Sequence, residues 1–168
     1  GTPVGALTDI VVGGLPGRRS YLRFALPAAI VDSATVTSAL LELTQRPDAG
    51  PLDGRDSLVI QSYVVIAGAA VTDPARASVL VLPAGTFSID SIKAAPGDSG
   101  VRRVDVTRLV RAWKAQNPRD VPHALVLRTA LEDITPLEVR FFSSEAVNPL
   151  LRPRLIISYI PRVGFGLP

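Results

Sequence analysis

The residues best equipped for chemistry in this chain are few and scattered. His123 is the single histidine, and there is no cysteine. A nucleophilic triad would need a positioned serine and carboxylate around that ring, and no nucleophile-elbow motif occurs. His123 follows Pro122 just ahead of a strand, so it reads as a loop histidine and no catalytic residue is expected. One histidine without cysteine also argues against a zinc or transition-metal site. Calcium needs only oxygens, which makes Asp48, Asp53 and Asp56 the weak calcium candidates. They lie in a polar stretch, residues 46–56, that lacks the regular alternation of a calcium loop. Aspartate and glycine are ordinary turn residues, so the solvated-loop reading is preferred and no metal or cofactor is expected. Paired carboxylates could serve glycoside hydrolysis. Glu132 and Asp133 fall in a predicted turn, with Glu138 and Glu145 around a late strand, and structural roles are preferred for all four. Glu145 in Ser143-Ser144-Glu145 is expected to hold a hydrogen bond or an arginine. For sugar stacking the useful rings are exposed Trp and Tyr. Tyr21 is the possible glycan contact; Tyr63 and Tyr159 are expected in core or sheet packing.

The elements that must position these residues are mostly strands. Short apolar stretches with period-two alternation, separated by Pro and Gly, predict strands over 7–12, 20–26, 34–44, 57–66, 78–82, 124–128, 137–142 and 154–160. Residues 84–100 read as irregular, with a short strand around Phe87 and Ile89 ahead of the Pro96-Gly97-Asp98 turn. One segment has helical spacing instead: Val106, Leu109, Val110 and Trp113 share a face. Thr107 is its expected N-cap, Asn117-Pro118 its stop, and Arg108, Arg111 and Lys114 its solvated side. Trp113 should anchor that helix across the sheets. The last strand is apolar on both faces, which predicts a central or covered position. The fold class expected is all-β: a two-sheet, jelly-roll-like β-sandwich with one short amphipathic helix. Residues 1–160 form a single domain in this reading, and 161–168 a C-terminal extension.

Composition narrows the function classes. The chain has 168 residues, long enough for a genuine core. Hydrophobic residues make up 47% and charged residues 20%, which excludes global disorder. No apolar run reaches the roughly 18 residues of a membrane-spanning helix. The net charge is only +3, and the arginines are dispersed with pairs at Arg18-Arg19 and Arg102-Arg103. Without a dense basic run interleaved with aromatics, nucleic-acid binding is not expected. The sequence starts at Gly1-Thr2-Pro3 and contains no Met, as after removal of a secretory signal or anchor, or after trimming. An extracellular, cell-surface or periplasmic location is the expectation.

Several segments taken in order carry a family resemblance: Arg19-Ser20-Tyr21-Leu22-Arg23-Phe24, then Val36-Thr37-Ser38-Ala39-Leu40-Leu41-Glu42-Leu43. They are followed by Val104-Asp105-Val106-Thr107-Arg108-Leu109-Val110-Arg111-Ala112-Trp113, by Phe142-Ser143-Ser144-Glu145, and by Pro153-Arg154-Leu155-Ile156-Ile157-Ser158-Tyr159. This series resembles the DNRLRE domain, a disaggregatase-related jelly-roll family that overlaps a class of carbohydrate-binding modules. The resemblance covers residues 7–159. It implies an extracellular or surface sandwich, often an appendage of larger enzymes or adhesins, without catalytic residues. Two departures stand out: no strand precedes the one at 7–12, and the chain continues past the usual last strand as residues 161–168. Val163, Phe165 and Leu167 alternate there and are the assembly candidates, docking on a neighbouring subunit by strand addition or folding back on their own sandwich. The expected function is a non-catalytic structural protein that docks on other subunits, same or different, of a fibre or multiprotein complex. The alternative is a carbohydrate-binding module for an extracellular polysaccharide.

Overall fold

The computed structural model describes residues 9–47, 57–65, 90–115, 123–130 and 132–162, with backbone alone for 62–65. It is an all-β sandwich of two antiparallel sheets. The larger sheet contains β1 (Asp9–Gly13), β3 (Ala34–Arg46), β6 (Gly100–Asp105), β8 (Glu138–Phe142) and β9 (Arg154–Pro161). Its order is β1-β8-β3-β6, with β9 paired to β3 as well. The smaller sheet runs β2-β7-β4-β5, from β2 (Ser20–Phe24), β7 (His123–Thr129), β4 (Leu58–Val65) and β5 (Ser91–Ala94).

Alternation decides which residues fill the gap between the sheets. From β3 these are Val36, Ala39, Leu41 and Leu43, and from β8 Val139 and Phe141. They meet Leu58, Ile60, Leu125 and Leu127 of the smaller sheet. The predicted strands at 7–12, 20–26, 34–44, 57–66, 124–128, 137–142 and 154–160 correspond to β1, β2, β3, β4, β7, β8 and β9. The one predicted at 78–82, and that at Phe87 and Ile89, lie outside the described residues. Two strands were not anticipated: β5, inside the stretch 84–100 read as irregular, and β6, which runs from its end to the helix. A short helix, α1 (Ala28–Ser33), was also unforeseen; Pro27 stands at its N-cap and buried Ile30 fixes it to the core.

The longer helix, α2 (Thr107–Ala115), is where expected, and its apolar face Leu109, Val110 and Trp113 is buried. It bridges the sheets. At its start Val106 N–H donates to the Ala39 carbonyl (2.9 Å), and the Thr107 hydroxyl oxygen accepts from Ala39 N–H (2.9 Å). Trp113 then reaches the other sheet, 5.2 Å from His123 and 6.4 Å from Phe24 between ring centroids. Thr107 is therefore the first helical residue and a tie to β3, while Asp105 caps the helix by accepting from Thr107 N–H (2.8 Å). The Thr107 donors hold the Asp105 carboxyl below its ordinary range.

The solvated side assigned to α2 also needs correction. β3 has a bulge between Val36 and Ser38, and an extra residue in a strand leaves ladder groups unpaired. Arg111 takes them up, its Nε donating to the Val36 carbonyl (3.0 Å) and its Nη2 to that of Thr37 (3.1 Å). Lys114 Nζ is buried with no hydrogen-bond partner among the described residues. One turn beyond Val110, Lys114 lies at the margin of the apolar face, where its stem follows the packed surface.

Gly13 closes β1 with φ of +98°, and a Cβ there would press on the Leu137 carbonyl oxygen. Gly13→Ala is expected to cost about 2 kcal/mol, the scale of a non-glycine residue held in that backbone region. Urea unfolding would measure it; an unchanged midpoint would contradict the geometry.

Candidate functional site: the free edge of β9

The outer face of the larger sheet is mostly sealed by ion pairs. Asp9 takes Arg46 (3.1 Å), Glu138 takes Arg18 (3.3 Å) and Arg140 (2.8 Å), and Arg140 also approaches Asp9. Further along, Glu42 lies between Arg103 and Arg154, at 2.7 Å from each. The cross-strand register sets this triad, since Glu42 pairs with Arg103 of β6 on one side and Arg154 of β9 on the other. The hydrogen bond from Arg103, reinforced by Arg154, holds the Glu42 carboxyl below its ordinary range. The arginine stems cover Glu42 although it faces away from the core.

The ionic cover stops at β9. From Leu155 to Pro161 this strand carries no charge. Leu155 and Ile157 turn inward against the core, whereas Ile156 and Ile160 look outward and are 43% and 60% exposed. Tyr159, in register with Val36, is 44% exposed at the inward end. Among the described residues β9 is bonded only to β3, and its other side is a free edge. Among the described residues, then, the expected central or covered position of the last strand is not seen: no second strand pairs with it, and Ile156 and Ile160 are exposed. Its two-faced apolarity arises because one face packs on the core while the other stands open. The loop entering β9 adds exposed Val147 and Leu150, fixed by an Asn148 side chain that accepts from Leu150 N–H (3.0 Å).

The alternation of an antiparallel strand tells which backbone groups are free. Arg162 N–H donates to the Ser33 carbonyl (2.6 Å), and the Ser158 carbonyl accepts from the Thr37 hydroxyl (3.0 Å). Even-numbered residues therefore address β3, and Leu155, Ile157 and Tyr159 present N–H and C=O to the open side. Pro161 adds a carbonyl without an N–H. The result is an apolar ladder of backbone donors and acceptors, the arrangement that accepts an added strand.

The other sequence candidates separate into distinct places. Tyr21 is half-buried on the outward face of the smaller sheet, in register with Val126. Tyr63 is described through its backbone only, paired with Val126 from the other side. His123 is not a loop residue: it opens β7, is buried beside Trp113, and has no hydrogen-bond partner at Nδ1 among the described residues. Burial lowers its pKa. Glu132 holds Arg19 through two hydrogen bonds (2.5 and 2.7 Å), and Asp133 accepts from Gly17 N–H (2.7 Å). Glu145 accepts from the Ser144 hydroxyl (3.3 Å) and its own N–H donates to Ser143, a local turn rather than an arginine pair. Asp48, Asp53 and Asp56, like Val163, Phe165 and Leu167, lie outside the described residues. Among the described residues no three His, Cys, Asp or Glu side chains are grouped to hold a metal. A polar open cleft of about 460 Å³ lies over the start of α2, lined by Thr37, Ser38, Asp90, Asp105, Arg108 and Arg111. No helix among the described residues is long and apolar enough to cross a membrane.

No family model matches the chain, and the search of curated proteins found no match either.

Proposed function

We infer that this chain is a non-catalytic structural and assembly module, acting outside the cytoplasm by offering the free edge of β9 to a strand of a neighbouring protein. One observation carries the reading: a strand that is uncharged and apolar on both faces from Leu155 to Pro161, whose outer edge is unpaired among the described residues and whose Ile156, Tyr159 and Ile160 are exposed. Natural edges are normally blunted by charge, bulge or cover. Here the bulge lies in β3, and the charges of β9 sit only at its start. Val163, Phe165 and Leu167 follow the same strand in sequence, and their alternation suits a second docking element. The extracytoplasmic setting is supported by the resemblance to DNRLRE domains.

The test is photo-crosslinking in native material. A photoreactive residue at Ile160 is expected to capture another polypeptide, and one at Val59, exposed on the opposite sheet, is not. Equal capture at both, or none at Ile160, would overturn the reading.

A second reading, carbohydrate binding, is favoured by the cleft over α2. Its carboxylates and guanidinia offer hydrogen-bond acceptors and donors to hydroxyl groups without an aromatic platform. Arg108→Ala, at an exposed position, is expected to abolish retention in polysaccharide-loaded gels if this reading holds. Wild-type protein unretained by every polysaccharide would dismiss it.

A further inference from the structure

The geometry points to a specific chemistry for the strand that β9 accepts: an extended segment with alternating apolar residues and an acidic residue at each end. This deepens the assembly reading and rests on it. The apolar run of β9 is bracketed by cations, Arg154 at its start and Arg162 just past its end. Among the described residues neither has a carboxylate to itself. Arg154 shares the single carboxylate of Glu42 with Arg103, leaving one positive charge in excess. Arg162 is exposed and forms no ion pair with the described residues; only its backbone N–H is engaged, at Ser33. Arg152, just upstream, spends its Nε on the Ala146 carbonyl and likewise meets no carboxylate among the described residues. The edge therefore presents positive, apolar, positive.

Eight residue steps at about 3.3 Å each place the two cations on the order of 26 Å apart along the strand. A partner that satisfies backbone, apolar row and charge together is about nine residues long and carries Asp or Glu at both ends. Because the bracket is the same at either end, strand direction is not selected by charge.

A second copy of this chain fits the backbone but not the charge. Two-fold pairing about Ser158 sets Ile156 against Ile160, which suits the apolar row. It also sets Arg154 against Arg162, a like-charge contact that destabilises a cross-strand pair. The like charges disfavour that pairing, whereas an acidic partner meets both arginines with opposite charge.

The experiment uses the intact chain and a nine-residue probe of alternating valine and threonine with glutamate at both ends, followed by fluorescence anisotropy. Binding is expected to be at least tenfold tighter than for the same peptide with lysine ends, with the ratio shrinking as salt is raised. A glutamate-ended probe N-methylated along one edge is expected not to bind, because the ladder donors are gone. Arg162→Glu, a surface change, is expected to cut the glutamate-over-lysine ratio at least threefold. Equal binding of both peptides, undiminished binding of the N-methylated probe, or a dimer of the chain alone in sedimentation would overturn the inference. If all peptides fail to bind while Ile160 still crosslinks a neighbour, the partner's chemistry is wrong and the assembly reading survives.

Discussion

Trp113→Ala is expected to lower the folding free energy by about 3–5 kcal/mol, the range for removing a large buried aromatic. A domain of this size is typically stable by about 5–15 kcal/mol, so the urea midpoint should collapse or the chain should fail to fold at 37 °C. The reason is positional as well as volumetric. Trp113 is the point at which α2, already tied to Ala39 of the larger sheet, touches Phe24 and His123 of the smaller one. Removing the indole empties the contact that holds the two sheets together at that end. Trp113→Phe keeps a ring and should cost distinctly less. Far-UV circular dichroism is the readout, because the variant loses the only tryptophan and with it the fluorescence signal. A loss below about 1 kcal/mol for the alanine variant would show that the sheets close without the helix.

Local pattern made much of this fold legible. The alternation of Leu22, Phe24 and Leu26 marked β2, and the helical spacing of Leu109, Val110 and Trp113 marked α2. What failed was whatever depends on partners distant in sequence. β6 reads Val101-Arg102-Arg103-Val104-Asp105 and looks too polar for a strand. Its arginines become comprehensible only once Glu42 and Gln45 of β3 stand across from them, Arg103 donating to Glu42 and Arg102 to Gln45. The apolarity of β9 was plain in its sequence, and its exposure was not. Burial on both faces and an open edge give the same residue pattern, and only the pairing of β3 with β9 decides between them. The candidate edge was thus half visible, as a greasy strand followed by an alternating tail. Its bracket of arginines acquires meaning from the Glu42 triad, which links residues far apart in the chain. His123 was misplaced for the same cause: Pro122 suggests a loop, while the contact with Trp113 that buries the ring is made in three dimensions.

That burial is expected to make the stability of this protein sensitive to mild acid. At pH 8 the His123 ring is neutral whether the chain is folded or not, and it contributes no pH dependence. Below the ordinary histidine value of about 6.5 the unfolded chain takes up a proton. The folded chain resists it, because burial lowers the pKa and no acceptor stands by Nδ1. The unfolded state then binds more protons, so stability falls as the pH is lowered below the ordinary histidine value. The acid loss from Glu42 and Asp105 has the same sign but a different window, since their lowered folded values place it below the ordinary carboxylate range of about 4. His123→Phe separates the two. It keeps a ring beside Trp113 and removes the titrating group, so stability should be flat from pH 7.5 to 5 and fall only at carboxylate pH. At neutral pH the variant should be more stable by about 1 kcal/mol, because an unpaired buried polar atom has been removed. Urea titrations of both proteins across that range measure it directly. If the two lose stability in parallel between pH 7.5 and 5, the buried ring is not the source of the acid sensitivity.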